Sequence, residues 1–123
     1  MHTLDTNAII YYLKGDKKVA QVLNDIFSKN HPIFISTITE VELFSFSKLV
    51  KTDIKAINEL LKTLAIIPLD SNLARLAGLV RAQYKIKTPD SIIAATALFS
   101  QTILVTRNVK DFQKIPQLDL LAI

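Results

Sequence analysis

The segment Leu4-Asp5-Thr6-Asn7 sets an acid directly after a short apolar run and directly before another, Ala8 to Leu13. In an open α/β sheet that position falls in the crevice at the carboxyl ends of the strands, where such folds build their sites. Partners for it lie far along the chain: Glu42 in Thr39-Glu40-Val41-Glu42-Leu43, Asp90 in Thr88-Pro89-Asp90, and Asp111 in Thr106-Arg107-Asn108-Val109-Lys110-Asp111-Phe112. Carboxylates gathered from distant segments repel one another. A divalent cation is the usual means of offsetting that repulsion, and it points to phosphodiester chemistry.

Elimination narrows the eleven acids of the chain. Asp53 and Asp70 read as helix caps, Asp16 as a turn residue, Asp25 and Glu59 as parts of solvated helix faces, and Asp119 lies near the end. Asp5, Glu40, Glu42, Asp90 and Asp111 remain. Asp5 has a plain alternative as a helix cap. Asp90 has one as a first-turn acid, which gains roughly 0.3–1 kcal/mol from the helix dipole. Glu42, flanked by Val41, Leu43 and Phe44, reads as largely buried, and a buried glutamate requires a cation or a proton. Glu40 competes with it. At about 100° per residue the two point to different faces of a helix, so both cannot serve one site equally.

The elements that must position these acids follow from periodicity and punctuation. Thr3-Leu4 ends a very short strand, and Ala8 to Leu13 continues as a helical turn or two until Gly15-Asp16. Val19, Val22, Leu23, Ile26 and Phe27 recur at helical spacing. Ile33-Phe34-Ile35 reads as a buried strand, with Ser36 or Thr37 capping the next helix. Asp53 is the expected cap of a helix with Ile54, Ile57, Leu60, Leu61 and Leu64 on one face. Ala65 to Pro68 forms a third strand, and Asp70 or Ser71 caps a helix with Leu73, Leu76, Ala77 and Val80 inward. Thr88 as cap with Pro89 at the first helical position opens a central helix, apolar nearly all round from Ile92 to Phe99. Thr102 to Val105 makes a fourth strand and Leu118 to Leu121 a fifth. The expected fold is therefore α/β: a small parallel sheet of four to five short strands flanked by helices on both faces.

Composition sets the class. At 123 residues, half of them apolar and only two of them glycine, the chain reads as a single domain over 1–123 with one real core. No cysteine is present, which removes disulfides, zinc–thiolate sites and thiol nucleophiles and fits a reducing compartment. No signal peptide or membrane span is read, so the expectation is a soluble cytoplasmic protein. The net charge of +4 suits a polyanionic partner, although its lysines and arginines are scattered without interleaved aromatics, unlike an aromatic RNA-stacking platform.

Taken together and in order, Leu4-Asp5-Thr6-Asn7, Thr39-Glu40-Val41-Glu42-Leu43, Thr88-Pro89-Asp90-Ser91-Ile92-Ile93-Ala94-Ala95-Thr96-Ala97 and Val105-Thr106-Arg107-Asn108-Val109-Lys110-Asp111-Phe112 resemble a PIN-domain ribonuclease, in particular the VapC-type toxins of prokaryotic toxin–antitoxin pairs. The resemblance runs over nearly the whole chain. It implies that Asp5, Glu42 and Asp90 are catalytic acids that hold Mg²⁺ or Mn²⁺, with Glu42 a better match than Glu40 because Leu43 follows it. Thr106 and Asn108 match a polar pair after the fourth strand. Many relatives carry an aspartate at the second of these positions, so the fourth acidic role is left between Asp111, as a further catalytic acid, and Asn108. Asn7 matches a polar residue near the first acid and would orient it.

The implied activity is metal-dependent endoribonuclease cleavage by water, leaving a 5′-phosphate and a 3′-hydroxyl. The implied partners are RNA as substrate, a cognate antitoxin whose tail covers the site, a second copy in a homodimer, and operator DNA reached only through the antitoxin. Ile9, Ile10, Phe44 and Phe46 are candidates for the antitoxin surface. With only His2 and His31 present, a histidine-pair route through a cyclic phosphate is disfavoured, and His2 reads as an edge or satisfied histidine. Arg107 and Lys110 either steady the scissile phosphate or attract RNA as surface charges. A haloacid-dehalogenase-type phosphoaspartyl enzyme requires an acid where Asn7 stands, and a receiver domain requires an acidic pair that the short lead has no room for. The remaining alternative is a catalytically weak PIN-like module that binds RNA or protein, to which Asn108 is the one pointer.

Overall fold

The computed structural model describes residues 1–123. Five strands, β1 (His2–Leu4), β2 (Ile33–Ser36), β3 (Ala65–Ile67), β4 (Ile103–Thr106) and β5 (Leu120–Ala122), form one sheet in the order β3-β2-β1-β4-β5. Every pairing is parallel, with His2 opposite both Ile33 and Ile103, and Leu4 opposite Val105. Parallel neighbours need crossover connections, and the intervening segments supply them as helices. These are α1 (Thr6–Leu13), α2 (Lys17–Ser28), α3 (Thr37–Phe44), α4 (Lys51–Leu61), α5 (Ser71–Tyr84), α6 (Thr88–Ser100) and the short α7 (Val109–Phe112).

Alternation along the strands sends side chains to two cores. Leu4, Ile33, Ile35 and Val105 pack with Ala8, Ile9, Val19, Leu23, Ile26 and Ile57 on one side. Leu104 faces the other way, against Val80, Ile93, Ala94, Ala97 and Phe112. Covering on both faces explains why the strands read as continuous apolar runs. The helix expected to be central is so: every residue of α6 from Ser91 to Ala97 is buried, while Phe99 near its end is exposed.

Several boundaries move, each for a local reason. Asp53 does not precede α4 but lies in its first turn, where its carboxylate accepts the N–H of Val50, the true cap residue, at 3.2 Å. Leu64 falls beyond the end of that helix yet still packs on the core, and Ile54 stays partly exposed. Lys87 is the residue before α6, which puts Thr88 first and Pro89 second; Pro is tolerated there because first-turn N–H groups have no helical acceptor. Asp16 caps α2 by accepting the Val19 N–H at 3.1 Å. Ser36 and Asp70 cap α3 and α5, accepting the N–H groups of Ile38 and Leu73. His2 stands in the central strand rather than at an edge, and burial lowers its pKa.

Gln101 closes α6 in the left-handed region at φ 54°, where its backbone N–H reaches the carbonyls of Ala97 and Leu98. A side chain there costs what glycine does not. Gln101→Gly is expected to stabilise the protein by about 1 kcal/mol and raise its melting midpoint by about 3 °C. Thermal unfolding followed by circular dichroism checks this, and a fall in the midpoint would show that the Gln101 side chain contributes more than its backbone strain costs.

Candidate active site

Asp5 sits at the junction of β1 and α1, at the cap position of the helix (φ −68°, ψ 148°). The backbone alone makes the junction: the Asp5 N–H donates to the Val105 carbonyl at 3.1 Å, and the Asp5 carbonyl accepts the Ala8 N–H at 3.0 Å. Its side chain makes no capping hydrogen bond, meeting only the N–H of the adjacent Thr6. The carboxylate turns instead towards β4, where Oδ2 accepts the Thr106 hydroxyl at 2.8 Å, and the residue is only 3% exposed. Thr106 is fully buried, and its oxygen also accepts the Asn108 N–H at 2.9 Å. The capping alternative for Asp5 therefore accounts for its backbone but not for its carboxylate.

Glu42 comes from α3 and is half-buried rather than largely buried, because Val41 and Phe44 beside it face outward. Its Oε1 accepts the hydroxyl of Thr6 at 2.6 Å, and Thr6 lies 3.0 Å from the hydroxyl of Thr39. A threonine has one proton to give. Both oxygens lie in its reach as acceptors, and the shorter bond, to the Glu42 carboxylate, is the stronger claim on it. Glu40, on the same helix, makes no side-chain hydrogen bond, and the charge that reaches Asp5 and Asp90 from this helix is that of Glu42.

Asp90 stands in the first turn of α6 and Asp111 in α7. The amide nitrogen of Asn108 links them, donating to Asp111 Oδ2 at 3.0 Å and to Asp90 Oδ2 at 3.4 Å. The strand ends thus bring Asp5, Glu42, Asp90 and Asp111 into one electrostatic neighbourhood with Thr106 and Asn108. Asn7 is exposed and bonds none of the acids; the neighbouring Thr6 and the distant Thr106 hold them instead. Arg107 is committed elsewhere, stacked 4.1 Å over the ring of Tyr11 and bonded to Asp16 Oδ2 at 3.3 Å and the Ile123 carbonyl at 3.2 Å. Lys110 is exposed. Thr6 and Thr39 escape a reading that looks for acids, although Thr6 lies beside the first of them.

The electrostatics follow from this packing. Burial, assisted by the charges of Asp90 and Glu42, pushes the Asp5 carboxyl up to about 6 against the Thr106 hydrogen bond. Burial also raises Asp90, with Asp111 and Glu42 adding to it and Lys87 opposing. Asp111 is lowered, chiefly by the Asn108 amide and then by Lys114 and Lys110. Two acids held above their ordinary range beside other acids make a pocket of excess negative charge. Its donors are all oxygens, and no three acidic or histidine side chains close into a ready cage. That set suits a hard cation that retains several waters and takes one or two carboxylates. Asp5 and Asp90, with Glu42 beside them, are the residues that could hold it.

A parallel α/β domain with acids at the carboxyl ends of its strands defines a class, and comparison gives the family. The PIN domain family matches residues 3–118. The chain is 29% identical to ribonuclease VapC2 of Rickettsia felis over 128 residues, covering 98% of this chain and 96% of that protein. The crystal structure of VapBC2 from Rickettsia felis bound to a DNA fragment from their promoter is similar with a TM-score of 0.84 at 29% identity, over 99% of this chain and 98% of that one. A toxin–antitoxin complex from Klebsiella pneumoniae is similar with a TM-score of 0.83 at 32% identity, over 99% and 97%. The chain belongs to the PIN domain family.

Two stability measurements follow from the geometry. Because the Asp5 carboxyl is raised to about 6 in the folded state, folding favours its protonated form. The associated stability is fully present below about pH 4 and lost as pH rises through about 6, an effect on the order of 2–3 kcal/mol. In metal-free buffer Asp5→Asn should therefore raise the melting midpoint by about 5 °C at pH 7.5 and by little at pH 4; a lower midpoint at both would assign the carboxylate to the fold alone. A urea double-mutant cycle of Thr6→Val and Glu42→Gln should give a coupling of about 1–2 kcal/mol. Coupling near zero would mean that Thr6 serves Thr39 and not Glu42.

Proposed function

We propose that this chain is the toxin of a type II toxin–antitoxin pair and acts as an endoribonuclease dependent on Mg²⁺ or Mn²⁺. The observation that carries the reading is the carboxylate of Asp5, raised by its burial and further by Asp90 and Glu42 and seated by Thr106, in a chain similar end to end to a VapC ribonuclease. Asp5 and Asp90 would hold the cation, with Glu42 close by. When bound, it supplies Lewis-acid stabilisation of the phosphoryl and leaving oxygens and a water acidic enough to attack phosphorus in line.

The protein's own groups do the positioning. Thr106 fixes the rotamer of Asp5, and Thr6 fixes that of Glu42, so both carboxylates would meet a cation already oriented. Thr106 and Thr6 carry no positive charge and so do not compete with a metal at Asp5 and Glu42, whereas Asp111 is also paired with Lys114 at 3.7 Å. The two histidines lie outside this set, since His2 begins β1 at the end of the strand opposite Asp5, so proton transfer falls to carboxylates and water.

The same reading supplies partners. Between α1, the end of α3 and α4 runs a groove of about 300 Å³ lined by Ile10, Leu13, Leu43, Phe46, Leu49 and Ile57. We assign it to the antitoxin, together with exposed Phe44. Ile9 leaves that surface, since it is fully buried in the core. Operator DNA is reached through the antitoxin, as the similar promoter-bound complex suggests. The protein works in the cytoplasm as a homodimer, each copy a single domain; no helix is long and apolar enough to cross a membrane.

Purified protein incubated with total RNA in Mg²⁺, Mn²⁺ or EDTA tests the reading. Cleavage is expected only with metal and with 5′-phosphate ends. Asp5→Asn and Asp90→Ala should lower it by at least about 100-fold, the loss expected when several kcal/mol of charge stabilisation disappears. RNA bound but never cut would instead favour a binding module, and cyclic phosphate ends would exclude hydrolysis by metal-activated water.

A further inference from the structure

Asn108 immediately precedes α7, a place where an asparagine ordinarily accepts a first-turn N–H through its side-chain oxygen. It makes no such bond. Its backbone N–H is held by Thr106 Oγ1 at 2.9 Å, and its side chain is turned back upon the acids. There Nδ2 donates to Asp111 Oδ2 at 3.0 Å and, at the longer distance of 3.4 Å, to Asp90 Oδ2. An amide nitrogen carries two hydrogens, so one group can serve both acceptors. The opposite amide orientation would set Oδ1 against two carboxylate oxygens, which leaves the donating one.

Asp90 and Asp111 come from different helices, and like charges that close push their elements apart. From this arrangement we infer that Asn108 is a positioning residue that clamps Asp90 and Asp111 side by side, and that the fourth carboxylate of this site stands at 111 instead of 108. The inference rests on the nuclease reading for its consequence, though not for its geometry. In this chain the charge stands at 111, beside Lys114 at 3.7 Å, and the amide at 108 holds it against Asp90. Aspartate at 108 would remove both donated hydrogens and bring a third carboxylate within hydrogen-bonding distance of the other two. Asn108→Asp should therefore make the protein worse, although it adds an acid to the site.

Four chains decide it: wild type, Asn108→Asp, Asp111→Asn, and the double exchange, which moves the acid to 108 and the amide to 111. Asn108→Asp is expected to melt several degrees lower than wild type in EDTA, to gain more from Mg²⁺ than wild type does, and to cut RNA about 100-fold more slowly, as a misplaced reacting group does. The double exchange should recover at least about tenfold of that rate, because a carboxylate and an amide again face one another. In wild type the Asn108 side-chain amide protons should resonate downfield of free asparagine, and Asp111→Asn should move them. This last readout needs no folded Asn108→Asp protein and no cleavage. If wild type cuts no RNA, the nuclease reading falls while the amide and melting measurements still decide the clamp. Asn108→Asp that cuts as fast as wild type, or an amide signal indifferent to residue 111, would overturn it.

Discussion

The constraint on which this structure turns is a carboxylate kept out of water beside others of its kind. Burying Asp5 at the end of the central strand is costly, and Asp90 and Glu42 add to the cost. The fold answers with neutral donors. Thr106 holds Asp5, Thr6 holds Glu42, and Asn108 holds Asp90 and Asp111. A hydroxyl or an amide fixes a carboxylate without cancelling its charge. A guanidinium in the same place would form an ion pair and quench the field that attracts a cation. The nearest one in sequence, Arg107, is folded over Tyr11 and tied to Asp16, away from the acids. The negative field at Asp5 and Glu42 is therefore held in place by neutral groups, and the one lysine paired with the cluster, Lys114, sits at its outer acid Asp111.

Helix geometry serves the same end. Asp5, Asp90 and Asp111 stand at or near helix N-termini, where the dipole favours an ionised carboxylate, while Glu42 comes from the last turn of α3. Where an acid has only a structural task, it takes up the free N–H groups of its helix: Asp16 and Asp70 accept from Val19 and Leu73. Asp5 holds the same kind of position but leaves those groups to its backbone. The difference between a capping acid and a site acid is thus a difference in where the side chain turns, and that is set by what the neighbouring strand offers.

That distinction marks the limit of what the residues alone disclose. The sheet and its helices were legible because the signals are local: the apolar runs Ile33-Phe34-Ile35 and Ala65-Ile66-Ile67, the caps Ser36 and Asp70, and the unbroken apolarity of α6. Boundaries shifted where a different residue closes the helix start, by one position at Lys87 against Thr88 and by three at Val50 against Asp53. The acids were legible by elimination and by resemblance. Their holders were not, because a threonine has many uses and only the fold shows that Thr6 meets Glu42 from 36 positions away. Asn7 drew notice as the more polar neighbour of Asp5, yet the helix turns it to solvent. The burial of Glu42 was overread because its apolar neighbours Val41 and Phe44 face out of the protein.

The Thr106–Asp5 hydrogen bond joins residues 101 positions apart, and β1 pairs with β4 along one whole flank. That flank of β1 is therefore closed only by a chain that extends as far as residue 106. A nascent or truncated chain that ends before residue 106 has the aspartate but not the hydroxyl that seats it, and it bares a strand edge in what should be the middle of a sheet. Such fragments are candidates for aggregation and degradation, not for chemistry. The seating of the first acid and the closing of the sheet are thus one event, since both need β4 in place beside β1.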